Sequence, residues 1–136
     1  MSEIDIINEW LQIAYEDYDS AKYLFDNKIP MPLEIICYHC QQSAEKSLKA
    51  YLCANDIEVP KTHDVRLLCH QCSDLDESFS EFDDNCGELV VYATRTRYPS
   101  RIEIDDTHAE RALKQALRIY EFTSEKIRQL FDFKTV

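Results

Sequence analysis

The chain has 136 residues, a formal charge of −11, six cysteines, four prolines and a single glycine. One glycine leaves few sites for tight hairpins or phosphate-cradling loops, and the acidic surplus repels a nucleic-acid backbone except at a local basic patch. Val is scarce while Leu, Ile, Ala, Glu and Lys dominate, so the expectation is one all-α domain over residues 1–136 with a core that needs no staples.

Ser2 opens a first helix, with Asp5 at the capping-box position. Ile7, Trp10, Leu11, Ala14, Tyr18, Ala21, Leu24 and Phe25 keep helical spacing to about Lys28. Pro30 and Pro32 interrupt it. A second helix runs from about Leu33 to Asn55, free of Gly and Pro, with a small-to-apolar stripe of Leu33, Ile36, Cys37, Cys40, Ala44, Ser47, Leu48 and Tyr51. Beside the stripe lie His39, Gln42, Lys46 and Lys49. One buried face and one chemically mixed flank mark this helix as the centre of a bundle.

Thr62 is the expected N-cap of a third helix over His63–Cys72, burying Val65, Leu68, Cys69 and Cys72. Ser73–Ser80 is acidic and offers another short helical turn. A fourth helix is expected from about Asp83 to Arg95, with Cys86, Leu89, Val90 and Ala93 apolar. The stretch around Pro99 reads as a loop. Thr107 and Glu110 form a second capping box, starting a last helix that runs to about Phe131 and buries Ala109, Ala112, Leu113, Ala116, Leu117, Tyr120, Ile127 and Leu130. Three long and two shorter helices with mostly short connections predict an antiparallel up-and-down bundle of four to five helices. Eight Tyr and six Phe supply surface for pairing about a two-fold axis, so a homodimer is expected.

No positively charged leader opens the chain and no apolar run approaches the roughly 20 residues of a membrane span. The expectation is a cytoplasmic protein with reduced thiols and no membrane contact. Cys37-x-x-Cys40 and Cys69-x-x-Cys72 resemble half-sites for zinc. Both pairs fall on apolar helix stripes without a following Gly, which favours core filling over a metal or redox site. No metal or other cofactor is expected. The charge is uneven: residues 73–88 carry seven acids and no Lys or Arg, whereas 95–101 carry Arg95, Arg97 and Arg101 and no acid.

Two constellations carry chemistry. Arg101 and His108 stand in Arg-x6-His spacing, and an Arg with a His on one surface positions a phosphate and moves a proton, the minimum for metal-free RNA cleavage. Lys61, His63 and Arg66 surround the start of the third helix, where free amides and the helix dipole favour an anion. The plainer roles are a solvent-facing first-turn histidine and a capped helix start.

CYHCQQSAEKSLKAYL (Cys37–Leu52) resembles the second-helix signature of the HEPN family, the higher-eukaryote and prokaryote nucleotide-binding domains. THDVRLL (Thr62–Leu68) and TRYP (Thr96–Pro99) resemble two further segments of that family, in the same order and spacing. The resemblance implies a bundle of four or five helices that often dimerises. It also implies association with nucleotides, RNA and partner nucleotidyltransferases, frequently in toxin–antitoxin pairs. By matching position in these motifs, His39, Lys46, His63, Arg66, Arg97 and Tyr98 form the expected ligand-binding patch, with Arg97 on phosphate and Tyr98 stacked on a base. Ribonuclease members carry Arg-x4-6-His with a polar residue after the Arg. Arg97 has no His in that window. Arg101 and His108 meet the spacing, with Ile102 at the polar position. The leading expectation is a non-catalytic bundle that binds a nucleotide or a nucleotide-bearing partner; the alternatives are a metal-independent ribonuclease and a dimeric interaction module without a ligand.

Overall fold

A computed structural model describes residues 2–93 and 103–134, which form an all-α antiparallel bundle with no strand among them. Helix α1 spans Glu3–Asn27, α2 Leu33–Ala54, α3 Val65–Leu75, α4 Asp83–Leu89 and α5 Asp106–Lys134, with 3-10 turns at Glu77–Phe82 and Val90–Ala93 flanking α4. The expected capping box opens α1: Ser2 Oγ accepts the Asp5 amide at 3.2 Å, and the Asp5 carboxylate accepts the Ser2 amide at 3.0 Å.

Helix α2 is the centre of the bundle, packed against α1, α3, α4 and α5. The predicted stripe is buried apart from a half-buried Leu33, and of the expected polar flank Gln42 and Lys49 are buried while His39 and Lys46 are half-buried; every residue from Cys40 to Glu45 lies inside. Neighbours on several sides leave α2 little solvent-facing surface. Ser43 Oγ donates to the Ala14 carbonyl at 2.7 Å, and the small, fully buried Ala14 leaves room for that approach of α1.

Helix α2 ends in a Schellman arrangement, with the Ile57 amide donating to the Leu52 carbonyl at 3.0 Å and the Asp56 amide to Cys53 at 3.1 Å. Asp56 takes φ 62°, a left-handed conformation that favours Gly. Asp56→Gly is therefore expected to stabilise the fold by about 1 kcal/mol, read as a rise of a few degrees in the thermal midpoint.

Two helix starts differ from expectation. Asp64, not Thr62, caps α3 and accepts the Arg66 and Leu67 amides at 3.0 Å each. Thr62 Oγ1 accepts the Asp64 amide at 3.1 Å, forming the turn that leads into the cap. At α5 the Asp105 carboxylate accepts the His108 amide at 3.0 Å, in place of a Thr107–Glu110 box. Glu110 lies 3.4 Å from Lys114 instead, while a carboxylate at the helix start satisfies both the free amide and the dipole. Helix α4 also stops short of its expected end. It is α-helical only to Leu89 and tightens to a 3-10 turn through Val90 and Val91, whose branched side chains are poor helix formers. Thr94–Ile102, including the rest of the expected helix, lie outside the described residues.

The acidic 73–88 stretch is tied to the bundle at chosen points. Asp76 Oδ1 accepts the Ser78 amide at 3.0 Å, and its Oδ2 lies 2.8 Å from Lys126 Nζ on α5. Lys126, then Ser78, holds the Asp76 carboxyl down at about 2. A carboxyl lowered in the folded state stabilises above its unfolded value of about 3.9, and that contribution disappears as pH falls toward 2. Asp76→Asn is expected to cost about 1–2 kcal/mol at neutral pH after allowance for solvent screening. Denaturant titrations at pH 7 and pH 2 should show the difference at the first and not the second.

The core is built by Tyr51, Phe79, Phe82 and Phe122, with Tyr51–Phe79 ring centroids 4.5 Å apart and Phe82–Phe122 4.9 Å apart. All six thiols are free; Cys37, Cys40, Cys69, Cys72 and Cys86 are buried. Cys69 donates to the Phe79 carbonyl and Cys72 to Leu48. Burial pushes the Cys37 thiol up to about 12, so it packs as a small apolar group rather than a thiolate. Among the described residues no helix is long and apolar enough to cross a membrane.

Candidate functional site

The expected ligand patch divides into separate groups around three carboxylates. The first is Glu45 on α2, only 1% exposed. Its Oε1 lies 2.8 Å from His63 Nδ1, and its Oε2 accepts Lys49 Nζ at 3.0 Å and Lys46 Nζ at 3.1 Å. Gln42 Nε2 donates to Gln41 Oε1 at 2.7 Å, Lys46 Nζ donates to Gln42 Oε1 at 2.7 Å, and Gln41 Nε2 donates to the His63 carbonyl at 2.8 Å. Burial alone would raise the Glu45 carboxyl; His63, Lys49 and Lys46 together outweigh it and hold the carboxyl below its ordinary value. Lys49 lies 5.9 Å from the Trp10 ring. Lys46 and His63 are thus brought together, through a residue absent from the predicted set.

His39 lies two helical turns before Lys46 and faces α1, its Nδ1 3.0 Å from Asp17 Oδ1. Arg66 turns to α4. Its Nη2 and Nε approach the two oxygens of Asp83 at 3.0 and 3.4 Å, and His70 Nε2 lies 2.5 Å from the same carboxylate. Arg66, then His70, lowers the Asp83 carboxyl. Arg97 and Tyr98 lie outside the described residues, as does Arg101.

His108 sits in the first turn of α5. Asp105 Oδ1 is 2.8 Å from His108 Nδ1, and the Asp105 amide approaches the same nitrogen at 3.2 Å. One neutral tautomer donates Nδ1–H to the carboxylate and leaves a lone pair on Nε2; the other accepts the Asp105 amide and presents Nε2–H. His108 lines a surface cavity of about 230 Å³ with Glu88, Val91, Tyr92, Arg111 and Gln115. Arg111 Nη1 lies 3.6 Å from Glu88 Oε1, and Gln115 Nε2 donates to Glu88 Oε2. Tyr92 is buried, which raises its phenol.

All four histidines of the chain therefore stand against a carboxylate: His39 with Asp17, His63 with Glu45, His70 with Asp83 and His108 with Asp105. Sequence reasoning named three of those histidines as site residues and none of the acids. Glu45–Lys49 had a visible signal in its i,i+4 spacing. Asp105 stands three positions before His108, the spacing of a reciprocal cap. Asp17 and Asp83 come from other helices and had none.

The HEPN domain family model matches residues 7–127. No curated protein sequence matches the chain. The crystal structure of TT1696 from Thermus thermophilus superposes with a TM-score of 0.74 at 25% identity, covering 88% of this chain and 97% of that one. The crystal structure of ST0689, an archaeal HEPN homologue, superposes at 0.70 with 22% identity, covering 89% and 97%. A family match over most of the length and the same helical bundle in both relatives lead to one conclusion: the chain belongs to the HEPN domain family.

Proposed function

We propose that this protein cleaves RNA without a metal ion, with His108 as the proton-transferring group. The observation that carries this is the Asp105 carboxylate 2.8 Å from His108 Nδ1 at the edge of a cavity. A carboxylate on one ring nitrogen fixes the ring and its tautomer and leaves Nε2 to act. Nε2 takes the proton of a ribose 2′-hydroxyl, and the 2′-oxygen attacks the adjacent phosphorus. The P–O5′ bond breaks and the leaving oxygen takes a proton from water. The products end in a 2′,3′-cyclic phosphate and a 5′-hydroxyl. Arg101, the first residue of the Arg-x6-His motif that ends at His108, is the proposed cation for the phosphate oxygens. Ile102 offers no polar side chain after that Arg; the carboxylate that meets His108 is Asp105.

The test is incubation of purified protein with defined RNAs in excess chelator, followed by mapping of the new ends. Cyclic-phosphate ends are expected, with no cleavage where the 2′-oxygen is methylated. Intact RNA of every composition tried, or equal cutting of the methylated strand, would overturn the assignment.

A second reading, nucleotide binding at Lys46 and His63, is favoured by the Glu45 cluster. One carboxylate faces two ammonium groups and an imidazole, leaving net positive charge in a chain of formal charge −11. Its cellular setting would be a nucleotidyltransferase partner in a toxin–antitoxin-like pair. Thermal unfolding against millimolar nucleotides tests it, since a ligand at a hundred times its dissociation constant stabilises by about 2.7 kcal/mol. A shift that Lys46→Ala abolishes supports this reading, and no shift with any nucleotide rejects it. Exposed Ile6 and Ile13, two turns apart on one face of α1, support a two-fold dimer seam, which sedimentation of wild type and Ile13→Glu would test.

A further inference from the structure

The cavity beside His108 brings together a carboxylate, a primary amide and a guanidinium. Its polar side is the Glu88 carboxylate, which accepts from Gln115, itself only 8% exposed, and lies 3.6 Å from Arg111. Its apolar wall is Val91 and Tyr92. Its volume is about 230 Å³.

We propose that this cavity binds guanine, and that the RNA is cleaved next to a guanosine; the second half of this rests on the ribonuclease reading above. A carboxylate presents two acceptors side by side and no donor. Guanine alone offers two adjacent donors on its Watson–Crick edge, N1–H and the N2 amino group. Adenine and cytosine each place one amino donor beside a ring-nitrogen acceptor, and uracil places one N–H between two carbonyls. Each of those three would set a lone pair against a Glu88 oxygen. The Gln115 amide and the Arg111 guanidinium are donors that suit the O6 and N7 acceptors of guanine. Every carboxylate oxygen has two lone pairs, so Glu88 keeps its Gln115 contact while it accepts from the base. Reading single-stranded RNA through an exposed base edge is the usual route to sequence preference.

The test has a binding arm and a cleavage arm, both on the full chain. Calorimetric titration with GMP, AMP, CMP and UMP should give GMP a preference of about 10- to 100-fold, the range of one good bidentate pair. Glu88→Gln replaces one acceptor by a donor and should erase the GMP preference. Glu88→Ala should do the same without adding a donor, and covers the case in which the first variant misfolds. Oligouridines carrying one internal G, A or C should be cut beside the G. His108→Ala should remove that cutting. A GMP preference that Glu88→Gln erases, with no cutting of any RNA, upholds the guanine site and rejects the ribonuclease reading. Equal affinity for the four nucleotides, a preference indifferent to both Glu88 variants, or cutting without regard to the G would overturn the guanine site.

Discussion

His108→Ala should reduce RNA cleavage by roughly 10²- to 10⁴-fold, the usual contribution of a positioned acid–base group. The substituted side chain is half-exposed and lines the cavity, so the fold should be little affected. Asp105→Asn separates the two duties of the acid. Asn caps a helix about as well as Asp, so the thermal midpoint should hold within a few degrees. The ring would lose its anionic partner, and cleavage should fall while the chelator remains without effect. The Asp105 carboxyl is held below its ordinary value, first by the His108 amide it accepts and then by the His108 ring. A His108→Ala protein that cuts RNA at the wild-type rate would assign the activity elsewhere.

Glu45→Ala should cost about 3–5 kcal/mol, because it strands a buried ammonium in place of a buried ion pair. Lys49 is 6% exposed and cannot readily turn its Nζ to water, whereas Lys46 can. For a domain of this size the loss corresponds to a fall of about 10–20 °C in thermal midpoint, a large share of a typical stability of about 5–15 kcal/mol. Glu45→Met with Lys49→Met should recover most of it, since removing both partners leaves no orphaned charge. Acid should mimic the single variant. The folded carboxyl is lowered, so its contribution is present above the unfolded value of about 4.3 and is lost as pH falls below about 4. A Glu45→Ala midpoint within about 3 °C of wild type would show that Lys49 finds another partner.

The bundle was legible because its signals are local. The stripe on α2, the inward set of α3 and the Ser2–Asp5 box each need only a few consecutive residues, and all are found in place. Where two capping side chains compete, spacing does not choose between them. In Thr62-His63-Asp64 and in Asp105-Asp106-Thr107 the carboxylate prevailed, holding amides and complementing the dipole at once. The site was less legible because its partners are distant. His63 meets Glu45 from 18 positions away, His39 meets Asp17 from 22, and Arg66 meets Asp83 from 17. A polar flank on α2 was visible; that Gln42 and Lys49 would be buried in the bundle was set by four neighbouring helices, which no local pattern reports.

The four histidine–carboxylate pairs occupy four different joints. His39 ties α2 to α1, His63 ties the approach of α3 to α2, His70 ties α3 to α4, and His108 closes the start of α5. Imidazole nitrogens resonate in a spectral window of their own and respond to both proton occupancy and hydrogen bonding. A single nitrogen-correlated spectrum of the histidine side chains thus carries one signal per joint. It can follow, in one titration with acid, denaturant or nucleotide, which seam of the bundle opens first.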